Sequence, residues 1–281
     1  MTLLKRMRGR LALLASALLT FLLSLPAMAA VQPESGWGLP RDVSLDGHRI
    51  DWLINITMVF LIILFVIMVV WMGIAIIKHG RHHTAELDYG NAKKQVIKGL
   101  VLSTVIFIIV DGNLWVNSVI DVDEVFWNHE AALAQPNAVR VEVNGHQWAW
   151  DFRYPGPDDQ FNTADDIVTM HELRVPVNAP VVMQLGASDV IHSLSFPNLR
   201  VKQDAIPGNV TPLWFQAVET GEFEIACAQH CGTHHYKMKG KLIIMPEADY
   251  ATWQEEASIR GALAYNPDDV EAHWGWPWQE I

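Results

Sequence analysis

The 281-residue chain is short of cysteine, of charge and, in one half, of base. It has only two cysteines, too few to staple a small disulfide scaffold, so their spacing must be read for chemistry. Charged residues make up 18% of it, against about a quarter in an ordinary soluble protein. Hydrophobic residues reach 51%, which is more than a water-soluble globule needs. Yet Lys and Arg number only 20 against 31 Asp and Glu, a formal net charge of −11, which a wholly membrane-embedded chain would not carry. The two signatures lie in different stretches. Residues 1–120 hold 11 Lys and Arg against 7 acids, a net of +4, while residues 121–281 hold 9 against 24, a net of −15. Intrinsic disorder, nucleic-acid binding and a simple cytosolic enzyme are disfavoured by this distribution.

What is present in the first half is long apolar sequence. Lys5, Arg6, Arg8 and Arg10 precede a Leu/Ala-rich run over 11–25, followed by Pro26 and Ala27-Met28-Ala29. This order of basic, apolar and small residues predicts a secretory signal over 1–29, with a retained first span as the alternative. Within 30–120, apolar spans are expected at about 53–77 and 96–120, each long enough to cross a hydrocarbon core of about 30 Å. Lys78, Arg81, Lys93, Lys94 and Lys98 lie between them, whereas Asp121, Asp123 and Glu124 follow the second. The excess of base places the short loop inside and everything beyond residue 120 outside. Asp111, Asn113 and Asn117 make the outer half of the second span polar. An ionisable group there indicates either a partner subunit or the membrane interface.

After a connector over 121–137 the pattern changes to short β segments: 139–143, 148–152, 181–185, 213–215, 222–225 and 241–245. Pro/Gly/Asn/Asp turns separate them, as in a β-sandwich or barrel. The acidic loop with Asp158, Asp159, Asp165 and Asp166 lacks the fixed ligand spacing of a calcium loop and reads as solvated surface. A terminal helix is expected over 247–260. The tail with His273, Trp274, Trp276 and Trp278 is too aromatic to float and should pack on a surface.

The decisive stretch is Cys227-Ala228-Gln229-His230-Cys231-Gly232-Thr233-His234-His235-Tyr236-Lys237-Met238. Thiolate, imidazole and thioether ligands form a soft set suited to copper. Cys231, His235 and Met238, with His192 from an earlier strand, would satisfy a mononuclear site. The second thiolate, Cys227, allows two bridged copper ions. His192 would then serve one and His235 the other, with Met238 and a backbone carbonyl near Gln229 completing them. Such a pair is a one-electron relay. A Cys227–Cys231 disulfide is the alternative in an oxidising compartment. The spacing is wrong for haem c attachment, and structural zinc would not use Met.

These residues, in order with Gly145-His146-Gln147-Trp148, Asp189-Val190-Ile191-His192-Ser193 and Lys202-Gln203-Asp204-Ala205-Ile206-Pro207-Gly208, resemble subunit II of the haem–copper oxidases, over about residues 138–250. The resemblance implies an all-β cupredoxin-like Greek-key barrel preceded by a two-helix transmembrane hairpin. It would sit on the outer face of a bacterial plasma membrane, with 251–281 as helix end and aromatic tail. It implies a binuclear CuA centre on His192, Cys227, the Gln229 carbonyl, Cys231, His235 and Met238. Cytochrome c would donate at Trp148, near Asp189, and a haem in subunit I would accept, as part of a cytochrome-c oxidase. No catalytic residue is expected in this chain itself. The negative charge would attract a basic donor.

Two positions depart from the family pattern. Gln229 stands where the family usually has Glu. The carbonyl survives that change, but the amide disfavours a magnesium ion at the subunit I interface. The second span opens on Lys94-Gln95-Val96-Ile97 in place of the usual Glu-x-x-Trp. A CuA subunit of a nitric oxide reductase is therefore an alternative reading. A stand-alone membrane-anchored copper carrier or sensor is another.

Overall fold

In a computed structural model of the chain, residues 38–80, 89–90, 92–269 and 272–279 are described. The signal expected over 1–29 and the loop residue Arg81 lie outside them. The chain divides into two compact units, Met1–Asp42 and Val43–Ile281. The second unit holds every element below.

The apolar run folds as α1 (Gly47–Lys78), 32 residues or about 48 Å at about 1.5 Å per residue. Its N-terminus is capped by Ser44, whose Oγ accepts the Gly47 N–H at 2.7 Å. Apolar side chains line it on all sides, and Phe65, Trp71 and Ile77 stand exposed. A helix hydrophobic all round is a core helix or a membrane span, and among the described residues nothing buries the apolar stretch of this one. A second helical run, Lys93–Leu133, contains α2 (Lys93–Ile106), a π-turn at Phe107–Asp111, α3 (Gly112–Asp121), a second π-turn at Val122–Phe126 and α4 (His129–Leu133). Both runs are candidate membrane spans. Asp111 is exposed at the end of the first π-turn. The segment expected as a connector, 121–137, is helical as far as Leu133.

Polar groups tie the two helical runs to each other and to the β-domain. Arg49 of α1 donates to Asp121 of α3 at 2.8 Å, while Arg200 of the β-domain forms two hydrogen bonds to Asp51 at 2.7 and 3.1 Å and the Trp214 indole donates to the Val125 carbonyl at 2.9 Å.

Ten strands follow: β1 (Val139–His146), β2 (Ala149–Tyr154), β3 (Ile167–Met170), β4 (Glu172–Pro176), β5 (Pro180–Ala187), β6 (His192–Phe196), β7 (Val201–Ala205), β8 (Thr211–Gln216), β9 (Gly221–Cys227) and β10 (Lys239–Met245). They form two five-stranded sheets, ordered β3-β2-β1-β5-β8 and β4-β10-β9-β6-β7. The β1–β5 and β4–β10 pairs are parallel and the others antiparallel. Alternation sends Val141, Val143, Trp150, Phe152, Met183 and Leu185 of the first sheet inward. There they meet Leu173, Val175, Leu194, Phe196, Ile225 and Leu242 of the second. Each such side chain contributes roughly 1.5–3 kcal/mol on burial. The β-rich half-barrel preceded by two apolar helices agrees with the expected cupredoxin-like architecture. The terminal helix α5 runs Glu247–Ala264, four residues beyond the expected end.

A buried tyrosine helps join the sheets. The Tyr154 hydroxyl of β2 donates to the Arg174 carbonyl of β4 at 3.0 Å and accepts the Arg174 N–H at 2.8 Å, fully buried. Tyr154→Phe leaves both backbone groups without their partner. It should lower the unfolding free energy by about 1–3 kcal/mol. Denaturant titration of the full chain in detergent checks this, and an unmoved midpoint would remove the bond from the account.

Candidate metal centre

The site lies where β6 begins and β9 ends. These strands pair antiparallel, with Leu194 opposite Cys227, and the Ala228 N–H continues the ladder to the Ser193 carbonyl at 2.8 Å. This register brings His192 beside Cys227. From Cys227 the chain loops out and returns through a short 3-10 turn (His235–Lys237) to Met238, whose carbonyl accepts the Cys227 N–H at 3.1 Å. The loop therefore closes on its own base.

The donor atoms converge. The Cys227 and Cys231 sulfurs are 3.8 Å apart. His235 Nδ1 lies 3.6 Å from Cys231 Sγ, Met238 Sδ lies 3.7 Å from the same sulfur, and the Gln229 carbonyl lies 3.2 Å from Cys227 Sγ. One ring nitrogen of His192 and both sulfurs fall within 4.8 Å of one another, a group that could hold a metal ion. All six positions singled out from the sequence thus come together. The two cysteines are not joined by a disulfide in this structure.

Asp189 orients the histidine. Its Oδ1 is 2.9 Å from His192 Nε2, while its Oδ2 accepts the Gln147 N–H at 2.7 Å. The other ring nitrogen, Nδ1, is buried and has no hydrogen-bond partner in the protein. A buried polar atom without a partner costs about 1–3 kcal/mol, so its presence facing two sulfurs fits a ligand to a soft metal. The ring is fully buried and meets Trp150 edge-on at 5.8 Å. Gly145 supplies the necessary room, because a Cβ there would sit 3.0 Å from Trp150 and 3.1 Å from His192.

The rest of the wall is built from Gln147, Trp148 and Gly232. Gln147 Nε2 donates to the Cys231 carbonyl at 2.8 Å. Trp148 is half-buried and packs on His234 at 4.6 Å between centroids. Gly232 adopts φ +124°, and a Cβ there would meet Gln147 Nε2 at 2.9 Å and Trp148 at 3.2 Å. The orienting role of Asp189 and the supporting roles of Gln147, Gly145 and Gly232 went unread in the sequence. The Asp three residues before His192 was their one local signal.

The two thiols differ in acidity. Burial raises the pKa of Cys227, but the nearby His192 ring and the neighbouring backbone outweigh it and bring the thiol down to about 6. Burial and then the Cys227 thiolate push Cys231 up to about 12. At His192, burial opposes protonation, but Cys227 and Asp189 prevail and raise the pKa.

A half-barrel with a buried soft-donor cluster at one end defines a cupredoxin-like metal-binding domain. Residues 139–245 match the family model described as the periplasmic domain of cytochrome c oxidase subunit II. The chain is similar to the alternative cytochrome c oxidase subunit 2 of Bradyrhizobium diazoefficiens, at 27% identity over 89% of this chain and 95% of that protein. It is also similar to cytochrome c oxidase subunit 2 of Cereibacter sphaeroides, at 34% identity over 42% of this chain and 49% of that one. The same subunit of Thermostichus vulcanus matches at 39% identity over 41% of this chain and 32% of that one. The chain therefore spans nearly all of the first relative and half or less of the other two. A crystal structure of the periplasmic domain of subunit II from Bradyrhizobium japonicum matches at 29% identity over 44% of this chain and 96% of that one, with a TM-score of 0.40. Over residues 139–245 the chain is therefore similar to the periplasmic domain of cytochrome c oxidase subunit II.

The acidity difference gives a direct check. A thiol with a pKa near 6 is mostly thiolate at pH 7, whereas one near 12 is protonated. Iodoacetamide at pH 7 should label the metal-free full chain at one thiol, Cys227, with a rate that falls as pH drops through about 6. Equal labelling of both cysteines would contradict the arrangement.

Proposed function

We propose that the chain is the electron-accepting subunit of a respiratory haem–copper oxidase, taking electrons from a cytochrome c and passing them to a haem of subunit I for O2 reduction. The observation that carries this is the convergence of two free thiols, two imidazoles, a thioether and a carbonyl on one end of the barrel. The donor set suits two copper ions of the CuA type. His192, Cys227, Cys231, His235, Met238 and the Gln229 carbonyl would hold them, and the bound pair would supply one-electron transfer.

The protein's own residues prepare this role. Asp189 fixes which nitrogen of His192 faces the sulfurs. The burial of His192, Cys231 and Met238 keeps water from the soft donors. Trp148, beside the copper loop through Gly232 and His234, is the aromatic at which electrons would arrive. The domain would face the periplasm, anchored in the plasma membrane by the two apolar helices over 53–77 and 96–120. A signal over 1–29 would direct it there. Gln229 disfavours a magnesium ion at the contact with subunit I, since an amide is a poor ligand for a hard cation.

Cys227→Ser should abolish the mixed-valence copper spectrum of the assembled complex and lower copper from two ions per chain, while the fold persists. An unchanged spectrum would sink the ligand assignment. Trp148→Ala should slow reduction by cytochrome c about tenfold or more at full copper content, read by stopped-flow absorbance. The acceptor is tested by supplying O2 and NO separately to the purified complex. Turnover of NO alone would replace the oxidase reading with nitric oxide reductase.

A further inference from the structure

The aromatic tail has a definite seat, remote from the copper loop. Residues 272–279 cross the outer face of the first sheet from β2 over β1 to β5. Arg153 of β2, almost wholly buried, donates to the Trp274 carbonyl and, at 2.8 Å, to the Ala272 carbonyl. Its guanidinium also stacks on the Trp274 ring at 4.0 Å. The Trp276 indole donates to Gln184 Oε1 of β5 at 3.1 Å, and Gln184 Nε2 donates to the Gln279 carbonyl at 2.7 Å. Glycines make the fit. A Cβ at Gly186 would lie 2.7 Å from Trp276. One at Gly275, where φ is +146°, would lie 2.8 Å from Arg153 and 3.2 Å from Glu142.

Beneath the tail the charges do not balance. Glu142 of β1 is fully buried, 3.3 Å from Arg153, and its Oε1 has no hydrogen-bond partner. Asp166, from the acidic loop, lies 3.4 Å from Arg153 and is also buried. Two carboxylates thus share one guanidinium whose hydrogen bonds are partly spent on the tail's carbonyls. Among the described residues, the other ionisable groups around the tail's seat are Arg140 of β1, over the Trp278 ring at 5.5 Å, Asp151 of β2, itself 2.9 Å from His146, and Tyr265, Asp269 and His273 along a cavity of about 370 Å³ that Trp274 also lines. His273 is turned to Asn162 and the Asn266 carbonyl. From β5 the neighbour is the uncharged Gln184. An extra negative charge buried with an unsatisfied oxygen is a site for a proton.

We propose that Glu142, Arg153 and Asp166 form a proton-binding latch that holds the C-terminal tail on the outer face of the sheet, docked when the proton is bound and loosened when it is lost. The physical causes agree in direction. Burial pushes Glu142 up to about 7 against the pull of Arg153, and burial likewise raises Asp166. With the tail lifted, Glu142 meets water and its pKa returns towards the ordinary carboxylate value. The docked state therefore binds the proton more tightly, and docking weakens as pH rises through about 7.

Hydrogen exchange on the full-length chain in detergent tests the latch, read as protection factors for tail amides so that the intrinsic pH dependence of exchange divides out. From pH 6 to pH 8.5 the tail's protection should fall about tenfold. Glu142→Gln, which keeps the shape and removes the titration, should hold protection nearly constant over that range. Gly275→Ala, which forces a Cβ into Arg153 and Glu142, should lower protection at both pH values. Protection independent of pH in the wild type, the same pH dependence in Glu142→Gln, or an unaffected tail in Gly275→Ala would each overturn the proposal.

Discussion

The pairing of β6 with β9 is the constraint on which the site depends. His192 and Cys227 are far apart in sequence, and nothing local brings them together. The Leu194–Cys227 register does so, and the bond from the Cys227 N–H to the Met238 carbonyl closes the rest of the loop onto the same point. A shift of one residue would turn His192 to the opposite face of its sheet. The register is held by the inward packing of Leu194, Phe196 and Ile225 and by the Ala228 N–H, which donates to the Ser193 carbonyl at 2.8 Å. The hydrophobic core thus supports a cluster that is unfavourable without a metal. Two sulfurs stand nearly in contact, and a buried imidazole nitrogen lacks a partner.

That unfavourable arrangement sets the chemistry of the donors. Two thiols 3.8 Å apart cannot both ionise cheaply in a partly buried place, so the first proton leaves easily and the second with difficulty. Asp189 reinforces the asymmetry. By holding Nε2 of His192 it leaves Nδ1 to face the sulfurs, so the imidazole favours the nearer thiolate. Binding a soft cation would relieve both the repulsion between thiolates and the orphaned nitrogen. This is why a cluster poorly satisfied by protein alone is evidence of a ligand.

How much of this was legible in the sequence follows the range of the interactions. Cys227, Gln229, Cys231, His235 and Met238 lie within one loop, and their donor types and spacing displayed the chemistry directly. The two apolar helices were legible because their long apolar runs stand out without any knowledge of neighbours. Strands β3, β4, β6 and β7 were not read. In His192-Ser193-Leu194-Ser195-Phe196 the buried face includes His192, which looks polar until its partners are known. Gly145 and Gly232 matter through a ring or an amide that arrives from elsewhere in the chain. The tail tryptophans were expected to pack, but their seat is formed by residues of β1, β2 and β5 far away in sequence. Pairings of that kind leave no local signature beyond a buried charge in an alternating strand.

Formal charge was legible as a sum but not as a field. Residues 121–281 carry −15, yet the fold pairs several of these acids. Asp121 is held by Arg49, Glu142 and Asp166 by Arg153, and Asp51 of α1 is held by Arg200. In all these buried or half-buried pairs the base is Arg, whose planar donors suit a carboxylate better than an ammonium does. On the surface, Glu222 and Glu224 face Lys241 and Lys239, and such exposed pairs contribute little energy but do cancel charge at range. Around the copper loop, Asp189 is engaged by three hydrogen bonds and Lys237 is the neighbouring base, while Val190, Ile191 and Tyr236 stand exposed. Contact at the site itself would be made largely by apolar and aromatic groups. Charge can then govern how often a partner arrives, and packing around Trp148 and Tyr236 how closely it approaches the metal ligands.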